Sequence, residues 1–115
     1  MTSFYFGKFL IPHSHVFFSS TLSFSFVNLR PVVPGHVLIS PLRKVLRYSD
    51  LTDTEAFEFW LMAQKVVSFM ESYYKKNCEI CIQDGQAAGQ TVDHLHIHIL
   101  PKLLPGEIVP LDSGY

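Results

Sequence analysis

From Val92 to Leu100 the chain alternates with a period of two, and Pro101 ends the run. A β-strand is the structure that sorts such a pattern onto two faces. His94, His96 and His98 then project from one face, and Leu95, Ile97 and Ile99 from the other. The apolar face has to pack on a core, which anchors the strand, while the imidazole face looks into a cleft or solvent. The chain has the material for this: 115 residues, 48% hydrophobic and 17% charged. That is enough for one core and one domain, and far from the low hydrophobicity and high charge of a disordered chain.

The remaining segments read around that strand. Residues 3–11 mix aromatics with Gly7 and suit a short strand or an arm, and residues 15–18 suit another strand. Residues 22–28 set Leu22, Phe24, Phe26 and Asn28 against Ser23, Ser25 and Val27, which predicts a half-buried strand. Pro31, Pro34 and Gly35 mark a loop, and residues 36–40 a further strand with His36, Leu38 and Ser40 on one face. Thr52 and Glu55 fit a capping box. Phe57, Trp60, Leu61, Gln64, Val67 and Met70 follow at steps of three or four, predicting the apolar stripe of an amphipathic helix of about 22 residues. Phe57 and Trp60 are assigned to the core or to a dimer interface, and Asn77 to the left-handed position after the helix. Residues 78–83 read as a strand and 85–89 as a small-residue loop. The fold class is therefore α+β, an antiparallel sheet of about five strands with one long helix and short N-terminal strands. Residues 1–101 make the domain, and 102–115, with Pro105, Gly106 and Pro110, a mobile tail.

A formal net charge of −1 leaves no basic stripe, so no nucleic-acid partner is expected. Any anionic ligand must be held by local geometry and not by a global field. Two cysteines make no secreted disulfide framework, and Cys78 and Cys81 point to opposite faces of their strand as ordinary packing residues. No apolar run approaches the ~20 residues of a membrane helix. Lys8, Pro12 and His13 interrupt the apolar start, so a signal peptide is not expected either. The expected setting is the cytoplasm. Ten phenylalanines in so small a chain suggest surface hidden in an oligomer.

Three histidines on one strand face admit two chemical readings. Zinc is one, since neighbouring strand histidines can share an ion. His94 and His98, however, lie about 13 Å apart at ~3.3 Å per residue, too far for one ion to gather all three comfortably; a pair with an outside ligand stays open. In the other reading the imidazoles act separately along a polyphosphate, one as nucleophile and its neighbours as orienting or donating groups. A neutral imidazole attacks phosphorus at neutral pH, and a cationic neighbour would stabilise equatorial phosphate charge.

The run His94-Leu95-His96-Ile97-His98-Ile99-Leu100 resembles the signature of the histidine triad superfamily, and the chain as a whole resembles its fragile histidine triad (Fhit) branch. The resemblance extends through residues 22–28, through Arg30-Pro31-Val32-Val33-Pro34-Gly35-His36-Val37-Leu38, through Gln83-Asp84-Gly85 and Gly89-Gln90-Thr91-Val92, and to Asp112-Ser113-Gly114-Tyr115. It implies a HIT-like fold and a dinucleoside polyphosphate hydrolase. The implied reaction cleaves diadenosine triphosphate to AMP and ADP through a covalent nucleotidyl-histidine. A phosphoramidase of the Hint branch, which shares the triad, and a nucleotide-loaded signalling dimer are the alternatives.

On that resemblance His96 is the nucleophile and His98 assists the leaving group. His94 and His36 orient them, and Gln83 contacts substrate beside the scissile phosphate. Gly89, Gln90, Thr91 and Val92 are implied as a phosphate-binding loop, through backbone amides and the Thr91 hydroxyl, with His98 touching phosphate oxygens. Asn28 is implied as the ribose ligand, with Phe6, Ile11, Phe26 and Leu38 as an apolar slot for adenine. Read from the residues alone, such apolar side chains are more commonly core. The resemblance further implies diadenosine polyphosphates and other adenine nucleotides as ligands. It also implies magnesium or manganese carried mainly by the substrate, no protein-held metal, a homodimer in which two sheets join, and a tyrosine, Tyr115, like the one phosphorylated in animal members.

Overall fold

In a computed structural model of the chain, residues 2–102 are described. The tail and Tyr115 lie outside them. A two-stranded hairpin comes first, β1 (Phe4–Phe6) with β2 (Phe9–Ile11), turning at Gly7 with φ +60°. The main sheet follows: β3 (Val16–Ser19), β4 (Ser23–Val27), β5 (Val37–Pro41), the helix α1 (Asp53–Tyr74), β6 (Cys78–Ile82) and β7 (Ile97–Pro101). Its strand order is β3-β4-β5-β7-β6, antiparallel throughout. The α+β architecture anticipated from the sequence is the one observed.

The sheet is covered on both faces. Val37, Ile39, Ile97 and Ile99 pack with Phe59, Met62, Ala63, Val66 and Met70 of α1. On the other face Phe24, Phe26 and Leu38 pack with Phe4, Phe6 and Ile11 of the hairpin and with Val92. This corrects the half-buried reading of β4: Ser23 and Ser25 are fully buried as well. Alternation reports polarity, and small hydroxyl side chains are compatible with a helix lying across them.

The helix begins as its sequence dictates. Thr52 Oγ1 accepts the Glu55 N–H at 3.2 Å, and the Glu55 carboxylate accepts the Thr52 N–H at 2.9 Å. Arg43 grips the same carboxylate at 2.7 and 2.9 Å, and that contact holds Glu55 down at about 2. The buried stripe is corrected in its first half, while Met70 and, in part, Val67 do pack on the core as expected. Phe57, Trp60 and Leu61, assigned to the apolar face, are 67%, 40% and 47% exposed. A second run at the same spacing, Phe59, Met62, Ala63, Val66 and Met70, faces the sheet. Spacing could not choose between two apolar stripes. The sheet takes the one free of Gln64 and Glu71. The left-handed position is also two residues earlier than anticipated, at Lys75 (φ +58°) and not Asn77.

β7 is shorter than its alternation suggests. Residues 92–96 leave the ladder because their amides are engaged elsewhere. His94 N–H donates to Val92 O at 2.8 Å, and Leu95 N–H to Val45 O at 2.8 Å. His94 and His96 are therefore placed by a turn, and His98 by the sheet.

Gly35 joins the loop before β5 to the end of α1. It has φ +84°, and a Cβ there would lie 2.6 Å from the Tyr74 ring and 3.0 Å from Pro101 Cγ. Gly35→Ala should cost about 1–3 kcal/mol in urea unfolding. Adding Tyr74→Ala should recover part of the loss, the steric part, and leave the backbone part. A Gly35→Ala variant as stable as wild type would contradict this packing.

Candidate active site

The register between strands assembles the site. His98 on β7 lies between Leu38 of β5 and Cys81 of β6. Ring contacts join His36 and His96 to it: Phe6 of the hairpin packs on His96, and His36 packs on His98. His96 and His98 have ring centroids 4.9 Å apart, and His36 and His98 5.1 Å. All four histidines of the set are buried.

Backbone groups fix which nitrogen of each ring carries the proton, because an amide N–H only donates and a carbonyl only accepts. Gly7 N–H donates to His94 Nδ1 at 2.8 Å, so the His94 proton is on Nε2, which donates to Pro41 O at 2.8 Å. Both nitrogens of His94 are thus engaged, and the ring is structural. His96 Nδ1–H donates to the His94 carbonyl at 2.7 Å, which leaves the lone pair on His96 Nε2. Phe6 packs edge-on against the His96 ring at 4.8 Å and 87°.

The second chain runs the other way. Val32 N–H donates to His36 Nδ1 at 3.2 Å, so His36 Nε2–H donates to His98 Nδ1 at 2.9 Å. His98 then carries its proton on Nε2, a buried atom with no partner among the described residues. Two adjacent rings therefore present opposite chemistry, a lone pair at His96 Nε2 and a donor at His98 Nε2. This pair suits an electrophile that accumulates negative charge as it is attacked.

Burial sets the charge state. It pushes His36 and His96 down to about 4 and His98 to about 3, with neighbouring imidazoles adding to the shift in His36 and His98. His94 is lowered too, by burial first. The rings beside His96 are neutral donors at pH 7 in the ligand-free protein. The expectation of a cationic neighbour is corrected accordingly.

Gln83 follows β6 directly, one step past the Ile82–Ile97 pair. Gly89 makes room for it: with φ +97°, a Cβ at Gly89 would sit 2.6 Å from Gln83 Nε2. Gly89 thus has a steric reason to be glycine. The loop is expected to offer its backbone amides to phosphate, and the Gln90 N–H donates to Gly85 O at 3.1 Å. The Gln90 Oε1 accepts Gly85 N–H at 2.8 Å, and its Nε2 donates to Leu46 O and Val92 O at 3.0 and 3.1 Å. The side chain clips the loop from inside and is not turned to a ligand. Val92 likewise belongs to the core, with its carbonyl engaged by Gln90 and His94. Thr91 is exposed.

Phe6, Ile11, Phe26 and Leu38, the expected adenine slot, are each at most 1% exposed and fill the hairpin-side core themselves. The general expectation that such residues are core describes them better. Asn28 is brought against His36. Sequence reasoning missed Arg47, whose Nε donates to Asp84 Oδ1 at 2.9 Å beside the Tyr48 N–H at 2.9 Å, tying down the loop after Gln83. A surface arginine carries no signal of that contact. Gly7 and Val32 were missed for another reason: they act through their backbone N–H groups, which every residue but proline has.

Among the described residues no three His, Cys, Asp or Glu side chains gather as a ligand set for a metal ion. The carboxylate nearest Gln83, Asp84, is occupied by Arg47. A hard cation such as magnesium prefers oxygen ligands, and the imidazole face does not fit it.

Comparison with known proteins agrees with the geometry. A family model described as the HIT domain matches residues 11–103. Bis(5'-adenosyl)-triphosphatase of Dictyostelium discoideum is 50% identical over 89% of this chain and 69% of its own length. The Arabidopsis thaliana protein named bifunctional bis(5'-adenosyl)-triphosphatase/adenylylsulfatase FHIT is 48% identical over 88% of this chain and 57% of its own length. The chain thus spans little more than half of the Arabidopsis protein. The crystal structure of Plasmodium falciparum diadenosine triphosphate hydrolase in complex with cyclomarin A superposes with a TM-score of 0.88 at 37% identity. That match covers 91% of this chain and 72% of the other.

The depressed imidazoles make stability depend on pH. An unfolded histidine takes its proton near 6.5, whereas His36 and His96 take theirs at about 4 and His98 at about 3. Between those values the unfolded chain binds more protons, so stability is full above about 6.5 and falls as the pH drops toward 4. Glu55, held at about 2 against an ordinary 4.5, adds its own loss only below that ordinary value. Thermal melts should show a lower Tm at pH 5 than at pH 7; a flat profile across that interval would refute the neutral, buried set.

Proposed function

The chain belongs to the HIT domain family, in its fragile histidine triad branch, and from that membership we propose that it is a hydrolase cleaving diadenosine triphosphate to AMP and ADP. The observation that carries the reading is the pair of adjacent nitrogens, lone pair on His96 Nε2 and proton on His98 Nε2. His96 Nε2 attacks the α-phosphorus and forms a P–N bond as the P–O bond to the departing ADP breaks. His98 Nε2–H holds a hydrogen bond to that oxygen while charge collects on it. His96 keeps its Nδ1–H on the His94 carbonyl, so the adduct ring is cationic and a good leaving group. Water then attacks the same phosphorus, the P–N bond breaks, and AMP forms with release of one proton to solvent. Two displacements at one centre retain its configuration.

Gln83, neutral and able both to donate and to accept, contacts substrate beside the scissile phosphate on this reading. Magnesium or manganese arrives on the substrate's phosphate oxygens, where a hard cation finds suitable ligands. Two copies associate through the exposed stripe of Phe57, Trp60 and Leu61 next to the edge strand β6, joining their sheets. No helix among the described residues is long and apolar enough to cross a membrane. We place the protein in the cytoplasm, where its two free cysteines stay reduced.

His96→Asn should lower kcat for diadenosine triphosphate on the order of 10³-fold or more while the variant still binds it. Equal turnover by wild type and variant would remove the nucleophile assignment. Wild type should also prefer diadenosine triphosphate over adenosine phosphoramidate in kcat/KM; the opposite preference would transfer the chain to phosphoramidase activity.

A further inference from the structure

Asn28 lies where β4 runs into the loop that leads to His36, and it is 8% exposed. Its Oδ1 accepts the Arg30 N–H at 2.9 Å, which fixes the plane of the amide. Its Nδ2 lies 3.4 Å from His36 Nδ1 and 3.3 Å from His36 Nε2. Near-equal distances to both ring nitrogens have one steric solution. An in-plane approach would collide with the ring carbon between them, so the amide sits over the face of the imidazole. Neither ring nitrogen needs it as an in-plane partner, since Nδ1 accepts from Val32 and Nε2 donates to His98. An N–H over an aromatic face is a weak attraction, but it also closes off the space into which the ring would turn.

That ring has two orientations of similar shape. Turned over, His36 would put carbon where Val32 N–H and His98 Nδ1 now find nitrogen. The chain that places the proton on His98 Nε2 would then be cut, and His98 would be free to carry its proton on Nδ1. It would present a second lone pair to an oxygen anion beside the nucleophile. We propose that Asn28 is a positioning residue, whose amide pins the His36 ring and thereby keeps the proton on His98 Nε2 where the leaving oxygen needs it. This goes beyond a ribose contact, which calls for nothing from Asn28 until substrate arrives. The kinetic half of the inference rests on the hydrolase reading; the spectroscopic half does not.

The test uses Asn28→Ala and the near-isosteric Asn28→Asp, which keeps the Arg30 contact and guards against loss of fold. Imidazole ¹⁵N signals of the ligand-free protein report which nitrogen of His36 and His98 is protonated. Both variants should shift the His98 Nε2 signal toward a mixture of tautomers, and kcat for diadenosine triphosphate should fall about tenfold with KM within about twofold. An added rise in KM would append a ribose contact and leave the positioning role standing. Unmoved signals in both variants overturn the proposal whatever the kinetics, and moved signals with an unchanged kcat overturn it as well. If wild type fails to turn over diadenosine triphosphate, that counts against the hydrolase reading, and the signals alone judge the positioning.

Discussion

The hydrogen bond from His96 Nδ1 to the His94 carbonyl, 2.7 Å long, leaves the lone pair on His96 Nε2, and much of the molecule serves to keep it there. The carbonyl belongs to a residue held at both ends of its ring. Gly7 in the hairpin turn donates to one nitrogen, and the carbonyl of Pro41 at the end of β5 accepts from the other. A turn 87 residues away in sequence thus helps to specify the chemistry of the site. Phe6, directly before the same turn, packs edge-on against His96 and shields it. The hairpin is an active-site wall as much as a core element.

Burial then does for charge what the backbone does for tautomers. Four imidazoles packed this closely would repel one another if protonated, and the low dielectric around them suppresses protonation. A negatively charged ligand approaching a chain of net charge −1 is met by no broad positive field. It meets instead a few donors in fixed positions, whose strength is greater in a dry site than in water.

The loop after β6 is held by contacts of unequal weight. The Arg47–Asp84 pair is half exposed on its arginine side, and surface pairs of this kind contribute about 0–1 kcal/mol. Gln90 is buried and bonds three backbone groups at once, and removing it would take away the partner of the buried Gly85 N–H. The loop's shape, and with it the place of Gln83 over Gly89, depends more on the amide within than on the ion pair outside.

Much of this was legible in the one-dimensional pattern. Alternation marked β4 and β7, Thr52 and Glu55 announced the start of α1, and the three histidines pointed to the family. Spacing along a strand is a local property, and it is written in the sequence. Other features were not so written. Two apolar stripes on α1 met the same periodicity, and only the sheet's shape selected Phe59 over Phe57. The shortened β7 arose from an amide bonding to Val45, fifty residues earlier. The protonation pattern came from the amides of Gly7 and Val32, and amides are common to almost every residue. The pattern of residues named the imidazoles that gather. Only the tertiary structure settled which nitrogen of each holds the proton, because that depends on which donor or acceptor the fold brings against the ring.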